Sequence, residues 1–260
     1  MNNCDHEARL GKLTASKIAD ATAKIKTGEA ASRITYRAQL VAERLTRMPQ
    51  GADLSNMKAV QWGNDTEPFA RSAFEAETGL LVEECGFVDH PTIANAGCSP
   101  DGLVGTDAIV EIKCPNTATH IEYLKANVVP STYRKQVLWQ LACTKRSKVY
   151  FASFDPRLDA GNQLLIVPWT PDPKEIAELE AEGKIFLAEV DADEKWLRER
   201  TKTVTTEYGM SQLITPEYQD AQNTLNEHCN TMVRKIASTH EEIEERRRIV
   251  QLAESAKTAK

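Results

Sequence analysis

The sequence predicts an α/β protein: a mixed central sheet flanked by helices, followed by a C-terminal helical extension. Three observations predict it. Apolar residues recur at helical spacing up to Thr78 and alternate with polar ones after Gly79. The runs then follow in the order helices, three strands, helices, strands, helix, which suits a sheet with helices packed on it. From residue 211 the strand pattern ceases, and no Gly or Pro follows Pro216.

At 260 residues with 41% apolar and 27% charged content, the chain suits one large domain, or a domain with an appendage. Each element has a local reason. Residues 14–23 read as a short helix with Thr14 or Ser16 near its cap. Residues 24–32 are polar and read as a loop. Residues 36–47 are helical, with Leu40, Val41 and Leu45 on one side, and 51–56 form a loop. Residues 59–78 make a long helix, broken or bent near Gly63, with Phe69, Ala73 and Phe74 inward and Gly79 as its C-terminal glycine. Alternation predicts strands over 81–88, 96–104 and 109–113. Helices follow at 117–126, after Pro115, and at 131–143, after Pro130. Strands at 148–154 and 163–168 and an acidic amphipathic helix over 173–200 complete the first domain, placed at 1–210. Within 211–260, Tyr218, Leu225 and Met232 are seven apart, as are Cys229, Ile236, Ile243 and Val250. This heptad fails at Thr239 and Arg246, so a helix packed on its own domain fits nearly as well as a coiled coil.

The chemistry concentrates at Ser99-Pro100-Asp101-Gly102 and Val110-Glu111-Ile112-Lys113-Cys114. Glu111 and Lys113 are two apart on a strand and leave the same face. An antiparallel hairpin would set Asp101 level with Glu111. Two carboxylates can hold Mg²⁺, which takes oxygen ligands and keeps several waters. A lysine beside them can lower the pKa of an attacking water or balance phosphate charge. That set suits metal-assisted phosphodiester hydrolysis.

Composition excludes other classes. No run of eighteen apolar residues suggests a membrane span, and MNNCDHEARLGK lacks the apolar core of a secretion signal. Six cysteines without a C-x-x-C read as reduced thiols of a cytoplasmic protein. The net charge of −6 is unevenly placed: residues 1–50 hold nine Lys/Arg against five Asp/Glu, and 171–200 hold five against ten. A basic N-terminal face could therefore meet phosphate while an acidic face stays in water.

Further segments extend the pattern: Arg9-Leu10-Gly11-Lys12-Leu13-Thr14-Ala15-Ser16, Trp62-Gly63-Asn64-Asp65-Thr66-Glu67, Ser131-Thr132-Tyr133-Arg134-Lys135-Gln136-Val137 and Tyr150-Phe151-Ala152-Ser153-Phe154-Asp155-Pro156-Arg157. In this order the chain, over roughly residues 8–200, resembles the phage lambda exonuclease or YqaJ-like viral recombinase family of PD-(D/E)xK nucleases. The resemblance implies a restriction-endonuclease-like core and a Mg²⁺-dependent exonuclease, with Mn²⁺ as a substitute. It implies digestion of one strand of linear duplex DNA from the 5′ end, in a bacterial host cell. A homotrimeric ring and a single-strand annealing partner are further implications. It assigns metal ligands at Asp101, Glu111 and Ile112, the attacking water to Lys113, and supporting roles to Glu67 and Gln136. Arg9 resembles the arginine that receives the 5′-phosphate, Thr14 and Ser16 accompany it, and Val60 matches an apolar wedge between base pairs. Trp62 is expected in the core. A family acidic residue has no counterpart at Pro91, leaving Asp89 or His90 as substitutes, and a family arginine has none at Thr119, with His120 and Lys125 nearby. The rival readings are a restriction-type endonuclease on the same core, an iron–sulfur relative, and a DNA-binding protein with a dead nuclease core.

Overall fold

The computed structural model describes residues 7–50 and 57–207, with isolated helical positions at 224, 227 and 231. Contacts divide the chain into units of 1–196 and 197–260. The expected loop at 51–56, the boundary at 210/211 and the heptad lie outside the described residues.

In the first unit residues 7–9 are helical, and β1 (Leu13–Thr14), a 3₁₀ turn (Ala15–Lys17) and α1 (Ile18–Ala21) follow. The expected single helix is thus a strand, a turn and one helical turn; Thr14 makes no side-chain cap bond. Helices α2 (Ala31–Thr46) and α3 (Lys58–Thr78) follow. A three-stranded sheet orders β1 beside β4 (Ala96–Cys98) and β3 (Val88–Asp89). A five-stranded mixed sheet runs β2 (Val82–Glu83), β5 (Gly102–Val104), β6 (Ala108–Lys113), β7 (Lys148–Phe154) and β8 (Leu164–Trp169). Helices α4 (Thr117–Ala126) and α5 (Ser131–Thr144) connect β6 to its parallel neighbour β7. The last element is α6 (Pro173–Glu207).

Two of the expected long strands divide. Residues 81–88 separate into β2 and β3, and 96–104 into β4 and β5, because each run leaves one sheet and joins the other. The second break falls at Ser99-Pro100-Asp101, where proline has no donor for a ladder. α3 runs through Gly63 and Pro68 unbroken. Its inward stripe is Thr66, Ala70 and Phe74, whereas Phe69, one residue out of phase, is 68% exposed. On α2, Leu40 and Val41 are buried, but it is Arg44 and not Leu45 that turns inward.

The sheet is covered on both faces. Ala70 and Phe74 of α3 pack on Val110, Ile112, Ala152 and Phe154. Val137 and Leu141 of α5 pack on Ile109 and Val149 from the opposite side. Alternation along β6 therefore aims Glu111 and Lys113 at the α5 side. α6 comes close to α5 at Gly183, where an added Cβ would meet the Trp139 ring at 2.5 Å.

The charge asymmetry resolves within this unit. Several acidic residues of α6, though partly exposed, are paired with arginines of α2. Arg33 holds Glu189 at 2.5 and 2.8 Å, Arg37 holds Asp193 at 2.9 Å, and Arg44 holds Asp191 at 2.6 Å. Three of the N-terminal arginines expected to meet phosphate thus pair with the acidic helix instead.

Candidate active site

β5 and β6 pair antiparallel with Gly102 opposite Val110. One further step along that register sets Asp101 across from Glu111, as the hairpin reading expects. Asp101 stands in the gap between β4 and β5, and its Oδ2 accepts the Ile112 N–H at 2.7 Å. Ile112 therefore enters the site through its backbone, with its side chain in the core beneath α3.

Glu111 has no exposed surface. Its Oε1 accepts Gln136 Nε2 at 2.6 Å and pairs with Lys113, and its Oε2 accepts Gln140 Nε2 at 2.7 Å. A buried carboxylate is tolerated only with such partners. The charged face of β6 is thus roofed by α5 rather than open to water. Gln136, to which the resemblance gives a supporting role, holds the Glu111 carboxylate. Gln140 went unforeseen; its signal is its place four residues after Gln136, on the same helix face.

Electrostatics bind the group together. Burial pushes the Asp101 carboxyl up to about 7, and the neighbouring charges of Glu111 and then Glu67 push the same way. Burial works against the Lys113 ammonium, but the Glu111 and Asp101 carboxylates override it and hold its pKa above the ordinary lysine range. Lys113 also lies 5.2 Å from the centre of the Tyr133 ring.

These groups border a cleft of about 470 Å³. Asp101, Ile112, Lys113, Glu67 and Gln136 line it, as do Arg9, Thr14, Ser16 and Val60, so the fold gathers every expected site residue at one place, with Glu111 just behind the wall. Arg9 carries a buried Nε without a hydrogen-bond partner. Thr14 and Ser16 bring their hydroxyls within 3.4 Å of each other. Val60 is half-exposed at the rim on the first turn of α3. Glu67 is held by Arg71, four residues further along α3, at 2.9 Å.

Other expected candidates lie elsewhere. Asp89 pairs with Lys12 at 2.6 Å. His90 is buried, 3.1 Å from Glu180, and its Nδ1 accepts the Ile93 N–H at 3.1 Å. Neither lines the cleft. His120 is buried between Ser153 at 2.7 Å and the Asn162 carbonyl at 2.9 Å. Trp62 is not in the core: the Arg157 guanidinium covers its ring at 4.4 Å. Arg157 is fixed in turn by Asp155 at 2.7 and 2.9 Å.

The donor chemistry fits a small hard cation. Asp101 and Glu111 offer oxygen ligands, and their mutual repulsion, visible in the raised Asp101 pKa, is what a divalent cation relieves. Among the described residues no three His, Cys, Asp or Glu side chains stand close enough together to form a full protein cage. Mg²⁺ asks for none; one or two carboxylates suffice beside water and substrate phosphate.

Comparison with known proteins shows the family. Residues 6–147 match the family model described as the YqaJ-like viral recombinase domain. The crystal structure of LHK-Exo in complex with dAMP is similar at 42% identity and a TM-score of 0.72, over 78% of this chain and 100% of that one. The alkaline exonuclease LHK-Exo from Laribacter hongkongensis is similar at 43% identity and a TM-score of 0.69, over 76% and 96%. A phage-related exonuclease from Haemophilus somnus shares the fold at 12% identity and a TM-score of 0.52, over 70% and 96%. No curated protein matches the chain.

Proposed function

The chain belongs to the YqaJ-like viral recombinase family, and from that premise we propose that it is a Mg²⁺-dependent exonuclease. It digests one strand of linear duplex DNA from the 5′ end, leaving a 3′ overhang for recombination by single-strand annealing. The observation that carries this reading is the meeting of Asp101, Glu111 and Lys113 beside a cleft whose wall holds Arg9, with its buried Nε unpaired. The alkaline exonuclease activity named for the relative at 43% identity supports it. So does the dAMP bound by LHK-Exo, a mononucleotide of the kind stepwise digestion releases.

Asp101 and Glu111 would hold the ion, with the Ile112 backbone between them. When bound, Mg²⁺ polarises the phosphate and lowers the pKa of its water. Gln136 and Gln140 fix the Glu111 carboxylate so that it need not reorganise during the reaction. Lys113, kept as an ammonium by its carboxylate neighbours, stands where charge develops around the attacking water and the phosphate. Arg9 receives the 5′-phosphate through paired donors, which a guanidinium supplies and an ammonium does not. Thr14 and Ser16 add hydroxyls to the same wall, and Val60 at the rim separates the terminal base pair. Mn²⁺ would substitute for Mg²⁺. The working form is a homotrimer in the host cytoplasm beside an annealing protein; among the described residues no helix is long and apolar enough to cross a membrane.

The test is incubation of 5′-phosphorylated and 5′-hydroxyl linear duplexes and of closed circular duplex, with Mg²⁺ or with EDTA. Mononucleotide release from the linear 5′-phosphorylated substrate, dependent on Mg²⁺, is expected. Cutting of the closed circle would favour the endonuclease reading instead.

A further inference from the structure

Arg71 lies outside the motif on which the proposed reaction rests, yet it touches three parts of the site's surroundings. Its Nη2 donates to Glu67 Oε1 at 2.9 Å and reaches the Asp101 backbone carbonyl at 3.4 Å. Its Nη1 pairs with Glu84. The side chain is only 15% exposed, and its Nε is buried without a partner. An arginine left one donor short has not been placed to satisfy itself; its fork is aimed by what it must reach. Glu84 is 74% exposed and so a weak anchor. The contacts on the site are the carboxylate of Glu67 at 2.9 Å and, longer at 3.4 Å, the carbonyl of the chain segment that carries Asp101.

Glu67 and Asp101 line the same cleft from separate chain segments. Carboxylates on separate segments repel, and a cation bonded to both segments offsets that repulsion. Arg71 supplies one: its Nη2 reaches both segments at once, while Nη1 on the other arm of the planar fork pairs with Glu84 and sets the plane. Lysine would supply the charge without the fork.

We propose that Arg71 is a positioning residue for the metal site: it fixes the Glu67 carboxylate relative to the Asp101 segment, and so sets the affinity for the divalent cation. This rests on the reading of Asp101 and Glu111 as the metal-holding pair. Outer partners that orient a metal's ligands are worth about ten- to a hundredfold in affinity. A purely electrostatic role makes the opposite prediction. Removing a positive charge beside carboxylates would tighten cation binding, and Arg71→Lys would behave as wild type.

The experiment is Mn²⁺ binding to the full chain without DNA, read from the electron paramagnetic resonance signal of free Mn²⁺. It compares wild type with Arg71→Lys, Arg71→Gln, Glu67→Gln, Glu67→Gln/Arg71→Lys and Glu111→Gln, each checked for a cooperative melting transition. Arg71→Lys and Arg71→Gln should each weaken binding about tenfold, and the double variant should be no weaker than Glu67→Gln alone. The second substitution guards against a folding failure of the first. Wild-type or tighter binding in the Arg71 variants, with Glu111→Gln defective, would overturn the role of Arg71 alone. Unchanged binding in Glu111→Gln would overturn the metal assignment and this inference with it.

Discussion

Glu111 is a carboxylate without exposed surface, ringed by the donors of Gln136, Gln140 and Lys113. Such a charge costs several kcal/mol unless its partners repay the lost hydration, so its retention in the core marks a chemical use. Glu111→Gln keeps the shape and leaves three donors facing an amide nitrogen or a neutral oxygen. Single-turnover digestion should fall by a thousandfold or more, on the order of several kcal/mol of lost cation chemistry; cleavage at the wild-type rate would remove Glu111 from the reaction. Arg9→Ala should abolish discrimination between 5′-phosphate and 5′-hydroxyl ends while slowing later steps less, measured as the ratio of initial rates on the two substrates. Asp101, Glu111 and Lys113 were legible in the sequence because strand alternation and hairpin register are local rules. Gln140 and Arg71 were not. A glutamine or an arginine on a helix has no meaning until one knows that α5 roofs β6 and that α3 passes the Asp101 segment.

Among the elements, those between Pro115 and Phe154 match their expected bounds within one residue, since Pro115 and Pro130 punctuate both helix starts and β7 alternates plainly. The strands between 81 and 104 do not, because a chain's passage from one sheet to another is a tertiary event without local signature. Phe69 and Leu45 misled for a different reason: size suggested burial, and helical phase decided otherwise. At the end of β7 the motif Asp155-Pro156-Arg157 has a structural effect that pH can read. Arg157 donates to Asp155 through Nε at 2.7 Å, Nη2 at 2.9 Å and its backbone N–H at 3.0 Å. The Arg157 side-chain bond is the chief reason the Asp155 carboxyl sits at about 2 rather than its ordinary 3.8. A carboxylate depressed on folding stabilises the protein above its unfolded value, and that contribution is lost as pH falls towards the folded one. Asp155→Asn should therefore cost about 1–2 kcal/mol near neutrality, allowing for solvent around the half-exposed Arg157, and little near pH 2. Urea unfolding of both proteins across this range checks it; a difference independent of pH would assign the loss to packing.

At the scale of the whole molecule the difficulty is that an acidic protein must stay on DNA. The chain carries a net −6, and Arg33, Arg37 and Arg44, which composition alone offered to the phosphates, are engaged by the acid of α6. Electrostatic affinity scales with the number of phosphates neutralised, and it falls steeply as salt rises. With these three arginines withdrawn from the basic N-terminal face, continuous digestion by a protein of net negative charge would need a hold that salt does not loosen. A closed ring provides one, since a threaded strand leaves only by running off the end or by opening an interface. The proposed homotrimer therefore makes two linked predictions. Sedimentation equilibrium should give three times the 28.9 kDa chain mass. Digestion already under way should also continue through an excess of heparin that blocks new engagement, at a rate only weakly dependent on salt. A ring that formed but released its DNA at once to heparin would leave the trimer without the purpose argued for it. A 28.9 kDa species at working concentration would mean that one subunit's cleft, with Arg9 at its wall, supplies the whole grip.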